Sequence, residues 1–416
     1  MKTNLRFGLA AAALALAALP AWGDVQPAGR EIRVSRQVDF QQINPVAAFA
    51  SSGSSAVVWE NDQRGLRAFF YGPDGRPSGP EVTLVTNQHL SGIPASGETL
   101  SRREPAAAFL PTGELAVAWV EEKAFVRIEQ FHEERRIIDT QIGFQLFSAA
   151  GKAIGNPVTL NTTAAGFQQY PRIALLGGRL LVVWQTAEGG LSGRLVNAAG
   201  RPVGGEIAIA EAGSRPALAV SGNRALVTWE AADGSSSGIF AQLLNAAGDL
   251  VGSSFRINAD TTDIQRRSAI AAAPGGDFLV LWQSRTTRPG TDAERIFGQL
   301  VGAAGNLAGP QFRLETGAAS GEVQMAPAIA PAPGGRFLVT WLSWPNHQAG
   351  LEIAGREIDA AGQTFGDVFW LTEQRIQRNF RKTSIATDGA GNYLAPWETI
   401  FRRRNQVIGA RRLVAD

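Results

Sequence analysis

Three observations predict an all-β chain, a seven-bladed β-propeller built from four-stranded antiparallel blades. A hairpin that begins at Pro-x-x-Ala, turns at glycine and ends in tryptophan comes round seven times. A second hairpin, turning at Pro-Asp-Gly or Ala-Ala-Gly, follows each of the first six copies. The seventh copy stops before its fourth strand, and a matching strand stands at the opposite end of the chain. Repeats of this length describe sheets stacked face to face around an axis.

The chain begins with a segment of another kind. Lys2 and Arg6 precede the Ala/Leu run Leu9 to Leu19, and Ala21 and Gly23 place small residues where a signal peptidase reads. Residues 1–23 therefore read as a secretory signal, and the run is too short for a membrane anchor. Removing them takes two of the 39 basic residues and none of the 37 acidic ones, so the mature chain is formally neutral. That balance argues against a nucleic-acid partner. The chain has no cysteine, which excludes thiolate metal sites, cysteine nucleophiles and a lipidated N-terminal cysteine.

The hairpins start at Pro45, Pro105, Pro171, Pro216, Ser268, Pro327 and Thr383. Alanine follows three residues later in every copy, from Ala48 to Ala386. The tryptophans Trp59, Trp119, Trp184, Trp229, Trp282, Trp341 and Trp397 follow at a nearly constant interval. Constant spacing fixes a register, because a slip of one residue turns every side chain to the other face. Runs such as Leu180-Leu-Val-Val-Trp184 are apolar on both faces, as a sheet sandwiched between neighbours requires. The seven tryptophans thus read as an interblade packing layer rather than as sugar platforms.

Blades are expected over 45–87, 105–161, 171–211, 216–258, 268–315, 327–372 and 383–416, all within one domain of residues 24–416. The strand missing from the seventh blade is expected at residues 29–34, since Gly29-Arg-Glu-Ile-Arg-Val34 matches Gly205-Glu-Ile-Ala-Ile209. Pairing it with Val407–Leu413 would close the ring and cover an open sheet edge.

The pattern Pro-x-x-Ala, glycine turn, Trp and Ala-Ala-Gly resembles Trp-containing repeats of bacterial exported and cell-surface proteins. The resemblance covers essentially residues 29–416 and implies a propeller with a role in binding or adhesion. It does not extend to WD40 blades, because Glu60, Val120, Gln185, Glu230, Gln283, Leu342 and Glu398 follow the tryptophans where aspartate would stand. Nor does it reach the Asp-box of sialidases.

Loops between second and third strands, and crossovers between blades, differ in length and chemistry, and they share one face of the ring. Loops held on a rigid scaffold are where binding residues gather. Gln42, Gln168, Gln265 and Gln324 recur three residues before the hairpin start, either bonding the crossover backbone or forming a polar ring at the channel mouth. Tyr170 and the arginines Arg102, Arg103, Arg267, Arg378 and Arg403 stand on the same face. They are solvated loop residues or contacts for an anionic partner. Trp344 and His347 belong to an unusual loop in blade 6, where Trp344 is a ligand platform or packs beneath its own loop. Residues 120–140 predict an extended charged hairpin in blade 2.

Catalytic signals are weak. His89, His132 and His347 lie in separate loops without metal-ligand spacing, and no nucleophile elbow or phosphate loop is present. The expected function is that of an exported, non-catalytic binding protein. It would be monomeric, in the periplasm or outside the cell, without cofactor, metal or transmembrane anchor. Its partner would be a glycan or an envelope or extracellular protein, anionic in character. The alternative is a polysaccharide hydrolase or lyase with carboxylates at the channel mouth.

Overall fold

The computed structural model describes residues 25–36, 40–90, 96–129, 132–163, 166–273, 275–286, 294–314, 323–344, 351–372, 383–401 and 405–415. The segment read as a signal, residues 1–23, lies outside them. The described residues form seven antiparallel sheets, and their only helical element is the short 3-10 turn Pro333–Gly335. Blade 3 shows the plan: Gln169–Leu176, Arg179–Gln185, Leu191–Val196 and Pro202–Ala210 pair in sequence order as strands A to D. Successive A strands contact one another around the axis.

Each seam between blades holds one apolar cluster, and each cluster contains one tryptophan of the repeat. Six of the seven, all but Trp229, are at most 1% exposed. The packing role expected for them is therefore what the fold shows. Truncating such a side chain to alanine costs about 3–5 kcal/mol.

The ring closes as the sequence predicts. Val25–Arg33 pairs antiparallel with Asn405–Ala415 and becomes strand D of blade 7. Its register skips between Ala28 and Ile32, with Gly29 at φ +74°. Blades 2 to 6 skip at the corresponding place. A long polar side chain from strand C spans the skip in these six blades. Gln145, Arg194, Gln242, Gln299, Arg356 and Arg411 each donate to the carbonyl of the bulge glycine at 2.7–3.2 Å. The N-terminal strand thus carries the same bulge and the same stitch as the D strands it replaces. In blade 7 the inner strand is short, Ala386–Thr387, with one further bridge from Thr383 to Trp397.

Blade 2 departs from the common size. Its strands Ser96–Phe109, Leu115–Glu129 and His132–Phe147 run far beyond Trp119, and Gln88–His89 adds a fifth strand. The hairpin expected over 120–140 is present, and the lengthened inner strand joins it, so pairing begins at Ser96 rather than Pro105. No helix among the described residues is long and apolar enough to cross a membrane.

Candidate site at the channel mouth

Strand A carries an irregularity just ahead of the Pro position in six blades. The A–B register shifts there, between Ile43 and Val46 in blade 1 and at the matching residues of blades 2 to 6. One residue in each bulge is left-handed: Asn44, Glu104, Tyr170, Arg215, Arg267 and Ala326, with φ between 49° and 54°. This conformation costs a side-chain-bearing residue about 1–2 kcal/mol. A hydrogen bond across each seam offsets the cost. Asn44 N donates to Glu398 at 2.8 Å, Glu104 N to Glu60 at 3.1 Å, Arg215 N to Gln185 at 3.3 Å, Arg267 N to Glu230 at 2.7 Å and Ala326 N to Gln283 at 3.1 Å.

In all five cases the acceptor is the residue that follows the tryptophan of the preceding blade. Blade 2 has Val120 at that place, which offers no side-chain acceptor. Glu104 takes over, and its carboxylate receives Tyr170 N at 3.1 Å. The bulges lie where the A strands meet the crossover face, so they form a ring at the channel mouth.

Charge is divided around this ring. Glu398 and Glu60 are each 1% exposed. Burial pushes Glu60 up to about 7 against the opposing pull of Arg103, Asn44 and the Glu104 amide. On the far side, Arg215 and Arg267 have no ion-pair carboxylate among the described residues. Burial and the neighbouring charges of Arg266 and Arg215 lower the Arg267 pKa, against the pull of Glu294 and Glu230. Glu230 is raised by burial, while its bond from Arg267 N and the nearby arginines oppose the rise. The Arg215 guanidinium lies 5.6 Å from the centre of the Tyr170 ring. Arg172, two residues further along strand A, is half-buried and donates to the Pro171 carbonyl at 2.8 Å. Its pKa is lowered by burial, against the pull of Glu104 and Tyr170.

The structure brings Arg103, Tyr170 and Arg267 to this mouth. Arg103 reaches Glu60 at 3.8 Å and Glu122 at 3.3 Å. The glutamines lie inside the wall instead. Gln42 and Gln265 accept the indole N–H of Trp59 and Trp282, both at 2.7 Å, because a buried indole needs an acceptor. Gln324 accepts Ile296 N at 3.2 Å, and Gln168 is 1% exposed. Arg102 is 5% exposed; it clamps the crossover by donating to Thr86 O at 2.8 Å and pairs with Glu121 at 3.1 Å. Trp344 is half-buried at the end of its strand. His347, Arg378 and Arg403 lie outside the described residues. Asn44, Glu104, Arg172 and Arg215 were not anticipated. The signal for most of them was a variable residue immediately before an otherwise uniform hairpin start. No group of three or more metal-ligating side chains occurs among the described residues.

No protein-family model matches the sequence, and no curated protein matches it. Solved structures match the fold. A protein of unknown function from Dyadobacter fermentans is 12% identical over 94% of this chain and 99% of its own, with a TM-score of 0.55. An ulvan lyase is 9% identical over 93% of this chain and 96% of its own, with a TM-score of 0.55. The NanB sialidase of Streptococcus pneumoniae is 8% identical over 77% of this chain and 68% of its own, with a TM-score of 0.52.

Proposed function

We propose that this propeller is an exported protein that binds an acidic glycan at its channel mouth. The observation that carries the reading is the arc of blades 3 to 5. There, left-handed bulges present Tyr170, Arg215 and Arg267 side by side, and neither arginine has an ion-pair partner among the described residues. Guanidinium groups suit carboxylate and sulfate oxygens, and an aromatic face beside them suits a sugar ring. The names of the sialidase and the ulvan lyase, the latter bound to -[GlcA(1-4)Rha3S]-, support a glycan as occupant. That support is one of fold alone. Export rests on the signal-like residues 1–23.

The test is a glycan panel spanning acidic and neutral oligosaccharides, with affinities measured for the native chain and for Arg267→Ala. Binding confined to acidic members and weakened about tenfold or more by the substitution is the expected result. Equal binding of neutral members, or no binding of acidic ones, would overturn it.

A further inference from the structure

The position after the hairpin start is occupied by Val46, Ala106, Arg172, Ala217, Ala269, Ala328 and Ser384. Six blades place a small or apolar residue there and one places an arginine. The position faces the next blade: Val46 packs into the seam between blades 1 and 2, and Ala269 into that between blades 5 and 6. The same register directs the Arg172 side chain toward the seam between blades 3 and 4. Removing a cation from water is costly unless an anion compensates. Among the described residues it forms no ion pair: Glu104 attracts it only from beyond contact distance, and its hydrogen bond goes to the adjacent Pro171 carbonyl. From across the same seam Arg215 lies over Tyr170, 5.6 Å from the ring centre. Tyr170 is held in its left-handed conformation by the bond from its N–H to Glu104.

We propose that Arg172, Tyr170 and Arg215 form a discrete subsite in the blade 3–4 seam for one sugar residue bearing a single anionic group, carboxylate or sulfate. The two guanidiniums approach the anion from opposite blades, and Tyr170 provides the face for the sugar ring. Arg267, one blade further on, meets the neighbouring unit of the chain. This subsite deepens the acidic-glycan reading and rests on it.

Arg172→Ala installs the residue that four other blades already carry at this position, so the variant is expected to fold. Its melting temperature without ligand should equal or exceed that of the native chain. Three probes distinguish the anions: oligogalacturonate, the same oligosaccharide after carboxyl reduction, and a sulfated galactan oligosaccharide. The substitution should weaken binding of whichever acidic probe the native chain prefers by about tenfold or more. It should leave the weak binding of the reduced probe unchanged, and Arg172→Lys should restore part of the loss. Unchanged affinity in Arg172→Ala while Arg267→Ala weakens it would overturn the subsite and leave the broader reading standing. A fall in melting temperature with affinity intact would mark Arg172 as packing and overturn it too. If no acidic probe binds the native chain, both fall together.

Discussion

The two halves of the channel mouth use one backbone device for opposite ends. On the side of blades 7, 1 and 2, the bulges are tied by carboxylates that point inward. Glu398 and Glu60 are almost wholly buried, and each receives an amide from the following blade. Across blades 3 to 5 the ties persist, but the bulge residues are Tyr170, Arg215 and Arg267, and their side chains are not drawn into the wall by ion pairs. The first set ties neighbouring blades together, and the second keeps the Arg215 and Arg267 guanidiniums without ion-pair partners among the described residues, where the proposed glycan would sit. A charged residue in a repeat is thus informative only once its seam partner is known.

That contrast can be broken by experiment. The largest effect is expected from reversing Arg215 and Arg267 together to glutamate. Affinity for an acidic glycan should fall at least about a hundredfold, each lost charged hydrogen bond contributing roughly 1.5–3 kcal/mol. Thermal unfolding should change little, and a large drop in melting temperature would show that the basic half is structural.

On the acidic half, pH is the lever. Glu60 ionises near 7 in the folded protein against 4.5 in the unfolded chain, so between these values the folded state holds the proton more tightly. Stability should therefore fall as pH rises from 4.5 to 7 and then level off, by on the order of 3 kcal/mol. Glu60→Gln keeps an oxygen for Asn44 and the Glu104 amide. It should flatten this slope in denaturant titrations, and an unaltered slope would assign the dependence elsewhere.

Glu398→Ala leaves the Asn44 amide without its acceptor in the closing seam. A loss of about 1–3 kcal/mol in unfolding free energy is expected, with glycan affinity preserved. Equal losses of both would erase the division between the halves. The smallest effect is expected at Trp344, half-buried in blade 6 beyond the basic arc. Replacing it with alanine should change binding free energy by less than about 1 kcal/mol in calorimetry. A tenfold loss would extend the ligand surface to blade 6 and make Trp344 its platform.

Much of the scaffold was legible because it is written locally. Trp59 follows Pro45, and Trp341 follows Pro327, at an interval that only one hairpin register satisfies. The run from Gly29 to Val34 announced a D strand far from the blade it completes, though not the bulge it carries. The mouth was less legible for a specific reason. A residue before proline normally reads as extended. Asn44, Glu104, Tyr170 and Arg215 precede prolines and are left-handed nonetheless. The residues after the tryptophans looked only like a missing WD40 feature, whereas five of the seven, three glutamates and two glutamines, accept the amide that makes the bulge possible. Conversely, Gln42 and Gln265 read either as ties to the crossover backbone or as a polar ring at the mouth, and they serve buried indoles.

By itself, then, the sequence determined the number of blades, the register of their hairpins and the closure of the ring, because spacing along one strand pair decides each of these. Which charges meet was decided only in the tertiary structure. Glu104 reaches Tyr170 and Arg215 lies over it from separate blades, brought together by a seam and a left-handed turn that no local pattern encodes.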